Sequence, residues 1–494
     1  MRKIAVIGMG WAGLSAALNL QAQGYHITLY ERSPKLLSVG GRASTAYRAG
    51  DKAPFAIDNG QHVLLAAYSE TLALLKSVNV NIDTAFLRLP ANWHVPNLLH
   101  IKLPSWGDTV SPNHLWATGS LKQLPLLIAL LNAGINTNQP TLIEQYLRLK
   151  AAIRLFIDLP TPQETVQQWL VRLNFPEPFN TALWQPLCYA TLNTPPNIAS
   201  AIVFKQVIKD GLLAGSYQAA MLIPRDDLGA TLPDLALKKL SDNGATIQLG
   251  SAVESITIDT ISNSNIYNNI NNNINNNIDT TLSIYTHNNV AQFDGIVCAT
   301  TAKDAVRFLP ARCISDDLHQ IATQTTEPIT TIHLKLDVTH YNTQHLLTSA
   351  ILIMPEPDPT DVKVSSIQNA VILDRSYLVA AHLGWLTLVL SCSHIAIKQS
   401  KPNLVNAAII RLVQVFSYLS QATVLNSVVI HAKQATFSCT TTIARPSVQT
   451  LHPTIVLAGD YIYNTNALYP ATLEGAVRNG LLAANTLHGI FNHL

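Results

Sequence analysis

The first 32 residues constrain the fold more strongly than any other part of the chain. The apolar run Ile4–Ile7 leads directly into the glycine-rich segment Gly8–Gly13, after which leucines and alanines recur at helical spacing as far as Gly24. A second run, His26–Tyr30, then ends at an acidic residue, Glu31. The pattern predicts a buried strand, a glycine-rich turn, a helix and a second strand, which together form a complete βαβ unit.

The spacing of the three glycines, G-x-G-x-x-G, indicates a dinucleotide site. Gly8 permits the tight turn, Gly10 lets the backbone approach a pyrophosphate, and Gly13 lets the helix pack closely on the strand. The pyrophosphate would lie at the helix N-terminus, where free N–H groups favour negative charge. Glu31, 18 residues beyond Gly13, can accept hydrogen bonds from both ribose hydroxyls and would repel the 2′-phosphate of NADP. A turn without a ligand is the alternative, and the spacing alone does not separate FAD from NAD.

Length and composition narrow the class of protein. A chain of 494 residues is too long for one compact core, so we expect two connected domains. Charged residues are only 13% and hydrophobic residues 48%, which suits a greasy ligand or a membrane surface, although a large buried core also accounts for part of it. The net charge of +2 gives no basic footprint of the kind that nucleic-acid binding needs.

The cysteines and the apolar runs indicate where in the cell the protein is expected. The five cysteines are scattered without a CxxC pair, which favours reduced thiols in the cytoplasm over a disulfide framework or a metal site. The N-terminal apolar run is the first strand, so we do not expect a cleaved signal peptide. The longest apolar patch, Leu124–Leu131, is too short to span a membrane. A buried core helix is the preferred interpretation, and contact with a bilayer interface is the alternative.

Three more segments extend the pattern. Gly40 and Gly41 allow the backbone to pass close to a ligand, and Arg42 can offer a forked guanidinium to phosphate oxygens. The run Phe55–His62 reads as a strand end that presents polar groups. Near the C-terminus, Ile455–Asp460 reads as a strand that ends in Gly-Asp.

Together these motifs resemble the flavin amine oxidase and phytoene-desaturase superfamily, which binds FAD. The resemblance is carried by the glycine fingerprint with Glu31, the Gly-Gly-Arg segment and the Asp58-x-Gly-x-His62 motif. Asp58–His62 and the run Trp184–Pro196 resemble more closely the squalene-associated FAD-dependent desaturases. Members of that family act as hydroxysqualene dehydroxylases in bacterial squalene synthesis for hopanoids.

The resemblance implies an α/β fold in which a Rossmann-like FAD-binding domain of the glutathione-reductase type is interleaved with an α+β substrate domain. We predict that the FAD-binding domain is discontinuous and that the substrate domain has a helical part and a part of alternating strands. The predicted ranges are 1–100, 206–304 and 436–494 for the first domain, and 101–205 and 305–435 for the second. An asparagine-rich insert at 263–278 is predicted to be a disordered hairpin tip in the FAD-binding domain.

The resemblance also implies a set of cofactor contacts. Val253 would offer its backbone to the adenine, and Asp460 would bind the ribityl or pyrophosphate portion. The N-terminus of the last helix would point at the flavin pyrimidine and stabilise negative charge on reduced flavin. The predicted FAD-binding residues are Gly8, Gly10, Gly13, Glu31, Arg32, Gly41, Arg42, Asp58, Gly60, Val253, Gly459, Asp460, Glu474, Gly475 and Ala476.

A dehydroxylase would need a proton donor and an apolar tunnel beside the flavin. We consider His62, Asp226 and Tyr469 as proton donors, with a structural histidine and a surface ion pair as the alternatives for the first two. The family-specific run supplies the predicted substrate contacts, for which an interhelical connector is the alternative. These contacts are Trp184, Asn193, Thr194 and Pro195.

Other functions stay open on the sequence alone. A carotenoid-type desaturase would move hydride in the opposite direction, and an amine oxidase would need an aromatic cage that Tyr461, Tyr463 and Tyr469 could form. A non-catalytic nucleotide-binding scaffold is the fourth possibility. We expect a hydrophobic isoprenoid substrate, no nucleic-acid partner and peripheral contact with the inner face of the cytoplasmic membrane, and the electron donor is not indicated.

Overall fold

The computed structural model describes residues 1–102, 124–135, 140–260, 280–464 and 468–493. Within these ranges the strands are β1 (Lys3–Ile7), β2 (His26–Tyr30), β3 (Thr45–Tyr47), β4 (Ile57–Asp58), β5 (Leu64–Leu65), β6 (Phe86–Leu89), β7 (Asn92–Val95), β8 (Leu99–Lys102), β9 (Gly134–Ile135), β10 (Met221–Pro224), β11 (Thr246–Gln248), β12 (Val253–Thr260), β13 (Thr280–Thr286), β14 (Asn289–Phe293), β15 (Gly295–Cys298), β16 (Thr326–Leu336), β17 (Ile351–Ile353), β18 (Ala370–Asp374), β19 (Trp385–Leu390), β20 (Val424–Phe437) and β21 (Ile455–Leu457).

The α-helices in the same ranges are α1 (Trp11–Ala22), α2 (Ser69–Ser77), α3 (Ile82–Ala85), α4 (Leu124–Leu131), α5 (Leu142–Ile157), α6 (Val166–Leu173), α7 (Gln185–Leu192), α8 (Ala201–Asp210), α9 (Ser216–Ala219), α10 (Leu228–Thr231), α11 (Pro233–Asp242), α12 (Ala302–Phe308), α13 (Asp316–Thr323), α14 (Lys401–Val415) and α15 (Leu473–His493). A π-helical turn at Asn180–Trp184 leads into α7.

A parallel sheet carries the nucleotide-binding part of the molecule. Its strand order is β11-β2-β1-β15-β21, so it collects segments from the beginning, middle and end of the chain. The strands read as continuous apolar runs because helices cover them. Helices α1 and α15 pack closely, since a Cβ on Gly480 would lie 2.3 Å from the Ala12 carbonyl oxygen. The predicted βαβ unit and the Rossmann-like fold are confirmed.

A second, antiparallel sheet lies in the region predicted to bind substrate. Its order is β17-β18-β19-β16-β20, and α14 packs against it through Leu404, Ala408 and Leu412. A smaller, separate antiparallel sheet has the order β12-β13-β14. Strands β12 and β13 pair as far as Thr260 and Thr280, and the asparagine-rich insert between them lies outside the described residues. The exact domain boundaries stay a prediction.

The helical part of the predicted substrate domain is present as α4 to α8. Leu126, Ala129 and Leu130 of α4 are buried, as the core-helix interpretation of that apolar run expects. In the ranges that the structure covers, no helix combines the length and the apolar character needed to cross a membrane.

Candidate functional site

The glycine fingerprint forms a cradle at the carboxyl end of β1. Gly8 adopts φ +99° and Gly13 is so tightly packed that its Cβ would lie 2.0 Å from the Gly8 carbonyl oxygen. A Cβ on Gly10, in contrast, would meet no protein atom within 4 Å. The fold therefore requires Gly8 and Gly13, whereas Gly10 faces open space. An anion fits that space, because Gly10 is the N-cap of α1 and the first N–H groups of a helix have no acceptor within the helix.

Glu31 lies beside this cradle at the end of β2. Its carboxylate accepts hydrogen bonds from the backbone N–H groups of Met9, at 3.2 Å, and Ser33, at 3.0 Å. This places an acid where the ribose of a bound dinucleotide is expected. Arg32 is different, since its side chain is 69% exposed and lies 3.7 Å from Asp304. Its contact with the cofactor stays a prediction.

The Gly-Gly-Arg segment packs against the glycine fingerprint. Gly40 donates its N–H to the Met9 carbonyl at 2.8 Å, and a Cβ on Gly41 would lie 3.3 Å from the Gly10 Cα. Arg42 reaches across to Asp460, with 2.7 Å between Nη2 and Oδ1. Residues predicted from the two ends of the chain thus meet at the cradle.

The side chain of Asp58 is held by hydrogen bonds from two other segments of the chain. The Asp58 carboxylate accepts hydrogen bonds from the Leu228 N–H, at 3.1 Å, and the Thr45 hydroxyl, at 3.4 Å. Burial raises the pKa of Asp58 to about 7, and the neighbouring Asp227 carboxylate adds to that shift. Asp58 is therefore an unusual carboxyl group that exchanges a proton near neutral pH.

The three predicted proton donors have different surroundings. Burial lowers the pKa of His62 to about 4, so its imidazole is neutral at pH 7 and has no readily donated proton. Tyr469 donates its hydroxyl hydrogen to Asp210 at 2.8 Å, and burial raises its pKa. Asp226 lines a small cavity beside Asp58. A direct role for any of the three stays a prediction.

Two buried residues near the motif were not singled out from the sequence. Arg375 is 4% exposed, donates to the Gln61 side-chain oxygen at 3.0 Å and lies over the Phe55 ring at 3.6 Å. His333 is 2% exposed and shares a 2.9 Å hydrogen bond with the Thr387 hydroxyl. The alternating pattern of β16 indicated which of its residues share a face of the strand. No signal in the sequence showed that this face lies next to the Asp58 motif.

The predicted substrate residues lie at the two ends of α7, and Asn193 after it contacts the antiparallel sheet. Trp184 is fully buried against Phe175. Asn193 adopts φ +45°, accepts from the Cys392 N–H at 2.7 Å and donates to the Thr436 hydroxyl at 3.0 Å. The Thr194 hydroxyl accepts from the Cys439 N–H at 2.9 Å. The segment thus ties α7 to the antiparallel sheet, and substrate contact there stays a prediction, as it does for Pro195.

The Glu474 side chain, at the start of the last helix, contacts the start of another helix, α2. Its carboxylate is 1% exposed and accepts from the backbone N–H groups of Glu70 and Thr71, at 3.2 and 2.9 Å. It thereby caps α2, whose own N-cap residue makes no side-chain bond. Arg478 pairs with the same carboxylate at 2.7 Å. A cofactor contact at the start of α15 would have to come from backbone groups of Glu474, Gly475 and Ala476, and it stays a prediction.

The remaining predicted residues are Gly459, Val253 and the tyrosines considered for an aromatic cage. Gly459 follows β21 and its carbonyl accepts from the Asn479 side chain at 2.7 Å, which fixes the backbone next to Asp460. Val253 is buried at the start of β12, and its contact with adenine stays a prediction. Of the possible cage tyrosines, Tyr461 is 4% exposed and Tyr463 46% exposed, so their environments do not match each other.

The chain is similar to several known proteins. Hydroxysqualene dehydroxylase of Rhodopseudomonas palustris is 28% identical over 268 residues, which are 52% of this chain and 54% of that protein. The chain therefore spans about half the length of this curated relative. Zeta-carotene desaturase of Solanum lycopersicum is 24% identical over 332 residues, 63% of this chain and 50% of that protein. Cyclohexylamine oxidase from Brevibacterium oxydans shares the fold, with a TM-score of 0.62, 14% identity and coverage of 99% of both chains.

The match to a whole family is more extensive. Residues 11–488 match the family described as flavin containing amine oxidoreductase. The open cradle at Gly10, the carboxylate of Glu31 and the Arg42–Asp460 pair are suited to FAD, which is the cofactor, and the protein is an FAD-dependent oxidoreductase. The chain belongs to the family of flavin-containing amine oxidoreductases.

Proposed function

We propose that the protein reduces hydroxysqualene to squalene. The observation that carries this proposal is the similarity to a hydroxysqualene dehydroxylase over about half of both chains. The reaction consumes one proton and one hydride. The substrate hydroxyl is protonated, the allylic C–O bond breaks and releases water, and hydride adds to the carbon that is left. Bound FAD supplies the hydride when it is reduced.

The chain's own residues have three tasks in this reaction. The cradle around Gly10 and Glu31 holds the dinucleotide portion of the cofactor. Apolar side chains must exclude water from the reacting carbon. A protein group must supply the proton to the hydroxyl, because water is a poor acid at neutral pH.

A carotenoid-type desaturase is the second candidate, and the similarity to zeta-carotene desaturase over 63% of the chain favours it. Such an enzyme removes hydride from a polyene and needs no acid for a leaving hydroxyl. The two functions therefore differ in the direction of hydride movement and in the oxidation state of the lipid product.

The test compares the two directions in one preparation. Chemically reduced holoprotein is incubated with hydroxysqualene, oxidised holoprotein is incubated with an isoprenoid polyene, and the extracted lipids are separated by chromatography. We expect squalene from the first mixture and unchanged polyene from the second. A product with a new double bond from the second mixture, with none from the first, would assign the protein to the desaturases.

We further propose that the protein reaches its substrate at a membrane surface through α5. This helix and the residues just after it expose large apolar side chains, among them Leu142 at 84%, Ile143 at 74%, Ile157 at 73% and Leu159 at 77%. The exposed Lys150 lies between them on the same helix. An apolar helix face with a basic residue is typical of binding to an anionic lipid surface.

Replacing Ile143 and Ile157 together by glutamate is expected to weaken binding to anionic vesicles by about 100-fold. Burying one such side chain contributes about 1.5 kcal/mol, so the two contribute about 3 kcal/mol, and about 1.4 kcal/mol corresponds to tenfold in affinity. Sedimentation with vesicles measures the bound fraction. Val362→Glu is the matched control, because Val362 is 83% exposed but lies outside α5. Equal binding of the double variant and wild type would exclude α5 as the contact.

A further inference from the structure

A small polar cavity lies beside the Asp58 motif. Its volume is about 10 Å³, close to the space that one water molecule needs. Its polar lining comes from three different regions of the chain, namely the motif itself, the segment after β10, and the antiparallel sheet. The polar residues around it are Asp58, Gln61, Asp226, His333 and Arg375.

Two of these residues carry polar atoms that no described protein group satisfies. His333 Nε2 and Arg375 Nε are buried without a hydrogen-bond partner among the described residues. The side chains themselves are fixed, since His333 Nδ1 is bonded to Thr387 and Arg375 Nη1 to Gln61. Buried polar atoms of native proteins are nearly always paired, with protein or with ordered water. Both residues line the cavity, and one water molecule is the partner that a space of this size admits.

The cavity lies close to the residues that face the nucleotide part. Thr331 and His333 share one face of β16, because side chains alternate along a strand. A Cβ on Gly60 would lie 4.0 Å from the Thr331 hydroxyl and 3.8 Å from His62 Cε1. His62 is in turn near enough to Arg42 to feel its charge. The Asp58–His62 loop thus lines the cavity and, through His62, lies within electrostatic range of Arg42.

We propose that this cavity binds one water molecule, held by Asp58, His333 and Arg375, and that this water delivers the proton that dehydroxylation consumes. This inference rests on the proposed function. The Asp58 carboxyl gives its proton to the water, the water passes a proton to the substrate hydroxyl, and the C–O bond breaks to release a second water. Asp58 regains a proton from solvent. Asp58 and His333 are positioning residues in this scheme, since they act through the water.

The charges around Asp58 are consistent with this role. Burial and the Asp227 carboxylate raise its pKa to about 7, whereas the Leu228 N–H, the Thr45 hydroxyl and the Arg375 guanidinium oppose the shift. Asp226 and His333 face it across the cavity. Burial and Arg375 lower the pKa of His333 to about 3, so this imidazole is neutral and contributes no charge. A carboxyl group with a pKa near the working pH suits proton transfer.

The test follows the rate of single-turnover flavin reoxidation by hydroxysqualene from pH 5.5 to pH 9. In wild type the rate should fall about tenfold per pH unit above about pH 7. Asp58→Asn should slow the reaction by about 10²-fold or more and remove this break. Asp227→Asn, which keeps a capping side chain at α10, should move the break to lower pH because it removes a repelling charge. Asp242→Asn, at an exposed ion pair with Lys238, should behave as wild type.

A second measurement is independent of turnover. Isotope-edited infrared spectroscopy measures the band of the protonated Asp58 carboxyl, and the spectrum of Asp58→Asn identifies that band. We expect the band to disappear as the pH rises through about 7. Flavin content and oxygen reoxidation of Asp58→Asn are measured alongside, so that a loss of cofactor is distinguished from a loss of proton delivery. An Asp58 carboxyl that stays ionised down to pH 5, or an Asp58→Asn enzyme with the wild-type pH profile, would overturn the proposal. If wild type makes no squalene but the carboxyl titrates near pH 7, the proposed function fails and the protonated site stands.

Discussion

Gly10→Val is expected to abolish FAD binding while leaving the apoprotein as stable as wild type. The backbone at Gly10 has φ −74° and ψ 175°, an extended conformation that valine adopts readily. A Cβ there meets no protein atom within 4 Å, so the fold does not oppose a side chain at this position through its Cβ. The same space is where the pyrophosphate must approach the backbone at the start of α1. We expect the dissociation constant for FAD to rise at least about 100-fold, which is about 2.7 kcal/mol.

Flavin content after purification, titration of the apoprotein with FAD, and the apoprotein melting temperature together check this prediction. Gly13→Ala provides the contrast, because its Cβ would lie 2.0 Å from the Gly8 carbonyl oxygen and should lower stability as well as FAD binding. Gly489→Ala, in α15 with no protein atom within 4 Å of its Cβ, should change neither. A Gly10→Val protein that purifies with full flavin would show that the cofactor does not pass this glycine.

Glu474→Ala is expected to destabilise the fold strongly. The alanine removes the carboxylate that accepts from Glu70 N, Thr71 N and the Thr71 hydroxyl, at 3.2, 2.9 and 2.7 Å. It also leaves Arg478 without its ion-pair partner. Loss of one partner from a buried, hydrogen-bonded ion pair costs about 3–5 kcal/mol, and we expect the lower end of this range because the Arg478 side chain is 26% exposed. Denaturant unfolding of the apoprotein measures this loss without a contribution from bound FAD.

Two variants separate the parts of this network. Thr71→Val removes only the hydroxyl contact and should cost about 1 kcal/mol. The double variant Glu474→Ala, Thr71→Val should be no worse than Glu474→Ala by more than a few tenths of a kcal/mol, because both changes break the same bond. Full additivity of the two losses would show that the carboxylate and the hydroxyl do not act together.

The sequence predicted best what is encoded over short distances. The βαβ unit follows from apolar periodicity and three glycines within one stretch, and the structure places Gly8, Gly10, Gly13 and Glu31 around one cradle. Arg42 and Asp460 were predicted separately as cofactor contacts, but their ion pair was not predicted, because they lie 418 positions apart in the chain.

What the sequence did not indicate depends on pairing between distant strands and helices. Arg375 and His333 reach the Asp58 motif only because β16, β18 and β19 lie side by side in the antiparallel sheet. The direction of the Glu474 side chain, toward α2, is equally a consequence of how α15 packs. The run Trp184–Pro196 is distinctive as a motif, yet its buried contacts are those of a joint between two parts of the fold.

The most direct test of the proposed function is an anaerobic single turnover. Chemically reduced holoprotein is mixed with hydroxysqualene in the absence of any other oxidant, flavin absorbance is followed, and the lipid is extracted at the end. We predict that the flavin becomes oxidised and that one squalene is formed for each flavin. Flavin that stays reduced beside unchanged hydroxysqualene would contradict the proposal.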